Sequence, residues 1–299
     1  MVSQPDRPRG RGRKRTPSPV ARVALERGLP LLRPERVGAP AVIEALEERA
    51  PDLGIVVAFG QFLPKPIRQG PRLGYLLNAH ASLLPRHRGA APIAHAILAG
   101  DRRTGVSAMR VEREMDAGDV CGVREVEIGV QETAGELSAR LAGLAAELMA
   151  EVVDRASTGE LDRADVWTAQ DRSKATLAPR VQREDARLDF REPAEALARR
   201  VRAMAPRPGA FTSWQGQPLR ILAAHAAPGP AAPPPGGVQR ADDGTIRIAT
   251  GEGWLVPTRI QRAGGRAVDV ADFQRGQGLE EGTQLGAEEP ATGRSRDLG

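Results

Sequence analysis

The sequence predicts an α/β domain built on a mainly parallel sheet, followed by a small all-β module of the OB-like β-barrel type. Three observations lead there. Apolar strand-length runs alternate with helix-period segments up to about residue 162. Beyond it, short β-like pieces separated by Gly, Pro and Asp turns crowd into residues 180–275. The 299 residues also exceed what one hydrophobic core usually organises.

Taken in order, the chain opens on Arg7-Pro8-Arg9-Gly10-Arg11-Gly12-Arg13-Lys14-Arg15, where glycine and proline forbid a helix or a central strand, so a flexible basic loop or arm is expected. Helical patterns follow at Pro19 to Gly28 and about Ala39 to Arg49. Ile55 to Phe59 is a continuous apolar run ending at Gly60, which suits a parallel strand buried on both faces. Leu76 to His80 reads as a strand that turns polar at its C-terminal end, Pro92 to Ala99 as a helix closed by Gly100, and Val106 to Glu112 as a third strand. A long amphipathic helix, Ala134 to Arg155, completes the first domain, residues 1–162.

Residues 163–179 lack periodicity and read as a linker, after which residues 180–275 form the second domain. A helix at Pro193 to Met204 precedes strands at Ala210 to Trp214, Leu219 to Ala223, Thr245 to Thr250 and Trp254 to Ile260. Pro228 to Gly237 is a loop, and residues 276–299 are expected to be a disordered tail.

Composition narrows the function classes. Forty per cent hydrophobic and 27% charged residues exclude wholesale disorder and collagen-like repeats. The single cysteine, Cys121, excludes an intrachain disulfide and a Cys-based zinc site, and it reads as a small packed residue, not a nucleophile. His87, His95 and His225 have no metal-ligand spacing, so no metal is expected. No phosphate-binding Gly-rich fingerprint follows a strand. The longest apolar helical stretch is broken by Glu147 and Glu151, and Met1 to Pro19 lacks the apolar centre of a signal peptide, so a cytoplasmic protein without membrane contact is expected. A net charge of +5 admits an anionic partner, although an overall bias to Ala, Gly, Pro and Arg accounts for much of it.

Asn78 and His80 lie two positions apart on a strand and project from one face, at the edge where open α/β sheets bind ligands. An imidazole exchanges protons near neutral pH and a carboxamide can donate to a developing oxyanion, a pairing suited to acyl transfer. Taken alone, Asn-x-His reads first as a hydrogen-bonded histidine at a strand end. Asp116, in a Gly-containing turn after the third strand, could approach the same edge to orient the histidine, with Asp119 as a rival. The loop Ser82 to Ile93 combines apolar side chains with exposed backbone polar groups, a composition able to line a slot for a flat heteroaromatic ligand.

The string Asn78-Ala79-His80-Ala81-Ser82-Leu83-Leu84-Pro85-Arg86-His87-Arg88-Gly89-Ala90-Ala91-Pro92-Ile93 resembles the methionyl-tRNA formyltransferases. So do Gln4 to Pro8, Asp116-Ala117-Gly118-Asp119, Ala175 to Pro179 and Arg207-Pro208-Gly209-Ala210, so the likeness runs from about residue 3 to residue 275. It implies a Rossmann-like formyltransferase domain and transfer of a formyl group from 10-formyltetrahydrofolate to methionine on the initiator tRNA. By the same likeness Asn78, His80 and Asp116 are the catalytic trio, and Ser82, Leu83, Leu84 and Pro85 contact the folate donor. The basic insertion, with Arg7, Arg9, Arg11, Arg13 and Lys14, would contact the tRNA acceptor stem, and the OB-like domain would extend that contact. The partners expected are initiator Met-tRNA and the folate, with the chain acting as a monomer.

Two departures accompany the resemblance. His87 stands where the family commonly has tryptophan. The family pattern also has a strand, a helix and a strand ahead of Gln4, from which a start assigned too far downstream is expected in preference to a truncated product. The competing readings are a formyl-folate enzyme acting on a sugar nucleotide or a purine precursor, which need not carry the Arg-rich insertion, and an inactive RNA-binding remnant.

Overall fold

The computed structural model describes residues 1–9, 14–241, 244–276 and 278–286. The chain divides into two compact units, one of Met1–Arg88, Val106–Arg124 and Ala145–Thr176, the other of Gly89–Gly105, Glu125–Leu144 and Leu177–Gly299.

The first unit opens with a correction to the flexible arm. Strands β1 (Arg7–Arg9) and β2 (Lys14–Thr16) form an antiparallel hairpin with Arg7 opposite Thr16 and Arg9 opposite Lys14. Contacts from outside the hairpin supply the order that its Gly/Pro-rich chain lacks. Glu35 pairs with Arg7 at 3.3 Å and with Arg15 at 3.9 Å, and Arg33 holds Asp6 at 2.8 Å. Arg11 and Arg13 lie outside the described residues.

Helices α1 (Pro19–Glu26) and α2 (Pro40–Glu47) each begin with proline, whose fixed φ and missing N–H suit a first helical turn. Ser18 caps α1 by accepting the Ala21 N–H. Strand β3 (Gly54–Val56) and helix α3 (Lys65–Gln69) lead to β4 (Leu76–His80), which runs parallel to β3. Val37, Ile67 and Leu76 form the buried centre here, surrounded by Ile43, Leu46, Val56 and Phe59.

The run Ile55 to Phe59, expected to be buried on both faces, is corrected. Ile55 is 46% and Val57 56% exposed, because β3 is an edge strand paired only with β4 among the described residues.

After helix α4 (Pro92–Ala99), closed by Gly100 in the left-handed region, β5 (Arg103–Arg110) and β6 (Val120–Glu127) complete a sheet of order β3-β4-β5-β6. The sheet is mixed where a mainly parallel one was expected, since β5 runs antiparallel to β4, with His80 opposite Ser107 and Leu77 opposite Arg110. The reason is local: the chain after His80 remains at the C-terminal edge of β4, and β5 enters from that edge. β6 alternates only weakly, with charged Arg124, Glu125 and Glu127 near its end, and sequence reading missed it.

Helix α5 (Ala134–Ser157) starts in a capping box, Thr133 Oγ1 accepting the Glu136 N–H while Glu136 accepts the Thr133 N–H, which draws the Glu136 carboxyl below its ordinary range. Its later turns set Leu148 and Val152 against Gly122, where an added Cβ would stand 3.0 Å from Leu148.

In the second unit, helix α6 (Ala194–Met204) precedes strands β7 (Phe211–Trp214), β8 (Gln217–Ala227), β9 (Val238–Arg240), β10 (Ile246–Ala249), β11 (Trp254–Arg262) and β12 (Ala267–Asp269), followed by helix α7 (Val270–Gly276). They pair antiparallel in the order β7-β8-β11-β10-β9, with β12 on β11, and irregular register at Pro257 to Ile260 bends the sheet. This curled sheet is the OB-like module that the turn spacing predicts.

Leu197, Val201 and Met204 of α6 are buried, as are Leu219, Ile221, Ile248, Leu255 and Ile260 of the sheet. Each such side chain contributes about 1.5–3 kcal/mol by leaving water. The disordered tail expected from residue 276 is corrected as far as residue 286. Leu279 and Leu285 are each 2% exposed, and Leu285 N–H donates to Gly236 O at 2.9 Å, so apolar anchors hold a segment whose composition reads as polar. Residues 287–299 lie outside the described residues.

Candidate active site

Strand β4 delivers the polar pair. Leu77 points into the core with no exposure, while Asn78 and His80 emerge on the alternate face at the strand's C-terminal end. Asn78 is half-buried and its carboxamide makes no hydrogen bond to any described residue, so its donors are free for a ligand. His80 is 6% exposed and its Nε2 lies 2.9 Å from His87 O. A carbonyl can only accept, so Nε2 carries the proton of that bond. The other ring nitrogen, Nδ1, lies 3.6 Å from Asp116 Oδ2.

Asp116 reaches His80 because the turn between β5 and β6 is drawn in tightly. Gly118 sits so close to Arg110 that an added Cβ would stand 2.1 Å from its carbonyl oxygen, so no other residue fits there without moving the turn. Asp116 itself takes φ 51° in the left-handed region, which costs most residues other than glycine more than it costs Asp or Asn. Asp119, the rival carboxylate, offers its backbone instead: its carbonyl accepts the Arg110 N–H at 2.9 Å, and its side chain makes no contact with His80.

The loop after His80 is held by hydroxyl groups. Ser82 is fully buried and its Oγ donates to Arg86 O at 2.6 Å, so it shapes the loop from inside. Ser107 Oγ donates to Ser82 O at 2.8 Å and accepts the Leu84 N–H at 3.2 Å. Leu83, Leu84 and Pro85 are left half-buried on this fixed backbone and form an apolar rim. His87 takes φ 57°, its N–H bonds Thr176 Oγ1 at 2.8 Å and its carbonyl holds His80. The atom of position 87 that holds His80 is therefore a backbone oxygen.

Several residues of the site carry no sequence signal of their own. Ser107 lies in a buried strand. Thr176 and Gln170 lie in the aperiodic stretch 163–179, whose N–H and C=O groups pair with the site loops instead of with a regular element. Arg88 is 5% exposed, and its guanidinium binds Gln170 Oε1 at 3.0 and 2.8 Å and Glu114 at 3.3 Å. Cys121 is buried, which pushes its thiol up, and its Sγ lies 3.5 Å from Ala108 O. Among the described residues there is no cluster of three or more His, Cys, Asp or Glu able to hold a metal.

At the hairpin, Arg7 and Lys14 are both exposed; Arg7 is paired to Glu35, whereas Lys14 has no ion pair among the described residues. Of Arg9 only the backbone is described, opposite Lys14.

The arrangement supplies a free carboxamide, an imidazole held between a carbonyl and a carboxylate, and an apolar rim. These parts can stabilise an oxyanion and move a proton during acyl transfer.

Comparison with known proteins adds the lineage. The formyl transferase family matches residues 1–153, and the formyl transferase C-terminal domain matches residues 180–278. A methionyl-tRNA formyltransferase from Methylococcus capsulatus is 45% identical over 96% of this chain and 91% of its own length. Another from Thermus thermophilus is 42% identical over 96% of this chain and 90% of its own. Among solved structures, a variant of HypX from Aquifex aeolicus superposes with a TM-score of 0.59 at 23% identity, over 88% of this chain and 48% of that one. The N-formyltransferase from Helicobacter canadensis, in complex with folinic acid and dTDP-3-aminofucose, gives 0.58 at 14% identity, over 85% and 86%. At these identities the two structures speak for the fold alone.

Proposed function

The chain belongs to the methionyl-tRNA formyltransferase family, and from that membership we propose how its own residues carry the reaction. The enzyme formylates the α-amino group of methionine on the initiator tRNA, with a folate as donor, and so provides formylmethionyl-tRNA for translation initiation. The donor is 10-formyltetrahydrofolate, seated on Leu83, Leu84 and Pro85 with Ser82 supporting that loop from within.

Asn78 and His80 stabilise the oxyanion that forms when the amine adds to the formyl carbon. Asp116 orients His80 and takes part in moving the proton from the attacking amine towards the departing folate nitrogen, as the new C–N bond forms and the old one breaks. The observation that carries this reading is the free carboxamide of Asn78 on the same strand face as an imidazole whose Nδ1 is 3.6 Å from Asp116. Residues 1–162 would hold this chemistry, with Gln170 and Thr176 of the 163–179 stretch bracing the site loops, and residues 180–275 would lie along the RNA. A single copy carries Asn78, His80 and Asp116 together, as a monomeric enzyme requires, and the enzyme would act as a monomer in the cytoplasm, where initiator tRNA is charged. Among the described residues no helix is long and apolar enough to cross a membrane.

The test is a formylation assay with initiator Met-tRNA and 10-formyltetrahydrofolate. Formyl transfer to Met-tRNA is expected. Transfer to an amino-sugar nucleotide or a purine precursor instead, or tRNA binding without turnover, overturns the reading.

The hairpin contributes through phosphate contacts by Arg7, Arg9, Arg11, Arg13 and Lys14. Arg11→Ala and Lys14→Ala are each expected to weaken tRNA binding and to flatten the slope of log affinity against log salt by roughly 1, without changing kcat at saturating tRNA. Binding titrations across a salt series check this, and a defect of equal size at every salt concentration contradicts it.

A further inference from the structure

Residues 167–170 lie along the start of β6 without forming a named strand. Val120 and Thr168 exchange reciprocal N–H to O bonds, each 2.9 Å. Trp167 stacks on the Arg110 guanidinium at 3.8 Å, with Tyr75 at 4.7 Å from the same cation, and its Nε1–H is anchored to Leu161 O at 2.9 Å. This anchoring aims Gln170 at the Asp116 turn.

The Gln170 carboxamide is fully used. Its Nε2 donates to Asp116 O at 2.9 Å and to Gly118 O at 2.7 Å, and its Oε1 accepts from Nε and Nη2 of Arg88. Only this orientation of the amide satisfies both sides, because carbonyls cannot donate and a guanidinium cannot accept. Arg88 directly follows His87, whose carbonyl holds His80 Nε2. A closed ring of contacts results: His80 to the His87 carbonyl, along the chain to Arg88, across to Gln170, on to Asp116, and back to His80 Nδ1 at 3.6 Å.

We propose that Gln170 is a positioning residue for formyl transfer, setting the separation between the two groups that grip the His80 ring. The proposal rests on the reading of His80 and Asp116 as catalytic. Gln170 acts through the protein: it fixes Asp116 through its backbone, and Arg88 ties that fixation to the loop on the other side of the imidazole. A residue held in the left-handed region by outside contacts loses that geometry when the contacts go.

Gln170→Glu tests this, since a carboxylate still accepts from Arg88 but has no donor for the two carbonyls. The expected result is a fall in kcat of about 10- to 100-fold with the KM values for tRNA and folate nearly unchanged, the signature of lost alignment. In an Asp116→Asn background the same substitution is expected to cost less than about twofold, because its effect runs through Asp116.

If Asp116→Asn leaves the rate unchanged, the catalytic reading fails. If Asp116→Asn is damaging but Gln170→Glu is not, or if Gln170→Glu costs as much in both backgrounds, the positioning role fails while the catalytic reading stands. Should Gln170→Glu not fold, the apolar isostere Gln170→Met is measured instead. Loss of fold in both, by circular dichroism, makes the contact structural and overturns the proposal.

Discussion

Replacing His80 with alanine is expected to lower kcat for formylation of initiator Met-tRNA by about 10²- to 10⁴-fold, the usual cost of removing a positioned acid/base group or oxyanion stabiliser. The imidazole is 6% exposed and sits between the His87 carbonyl at 2.9 Å and the Asp116 carboxylate at 3.6 Å. Burial in this fixed cradle means that water cannot take over its place with the same orientation. Alanine also removes the ring whose Nδ1 lies 3.6 Å from the Asp116 carboxylate, so the two no longer act together. Tight binding of tRNA is expected to persist, because the proposed reading assigns it to the hairpin and the second domain. Single-turnover formylation at saturating tRNA and folate isolates the chemical step, and a near-native rate in a folded His80→Ala protein would refute the assignment.

Asn78→Ala is expected to cost about 10²- to 10³-fold in kcat, the magnitude associated with losing one oxyanion donor. The carboxamide is half-buried and bonded to no described residue, so its donor capacity is unspent in the free enzyme. A donor whose bond strengthens only as charge develops raises kcat and leaves KM alone, so kcat and kcat/KM should fall together. Steady-state kinetics in both substrates distinguishes the alternatives. A raised KM with kcat intact would mean that Asn78 binds ground-state substrate and plays no part in oxyanion stabilisation.

Much of this site is legible in the linear chain for a definite reason. The two-residue period of a strand places Asn78 and His80 on one face whatever they pack against, and the strand's polar end marks the sheet edge where ligands bind. Helix starts at Pro19, Pro40 and Pro92 are likewise local, since proline favours a first helical turn by its own geometry. The antiparallel module beyond residue 180 announces itself through closely spaced turns.

Other features depend on what arrives from elsewhere. A basic Gly/Pro segment becomes a hairpin because Glu35 and Arg33 meet it. Ile55 and Val57 look like core and are exposed, because burial is decided by neighbours that the run itself does not name. Leu279 and Leu285 look like parts of a tail and are buried for the same reason.

By itself the sequence determined the α/β and OB-like architecture, the strand that presents Asn78 and His80, and the candidacy of a carboxylate in the turn after β5. The tertiary structure decided which carboxylate reaches the imidazole, Asp116 at 3.6 Å instead of Asp119, and that Gln170 and Arg88 close the ring around it. The division has a physical cause. Periodicity and turn chemistry act over a few residues and are written in local order, whereas the meeting of residues 80, 116 and 170 depends on non-local pairing, fixed only when Gly118 packs onto Arg110 and Thr168 onto Val120.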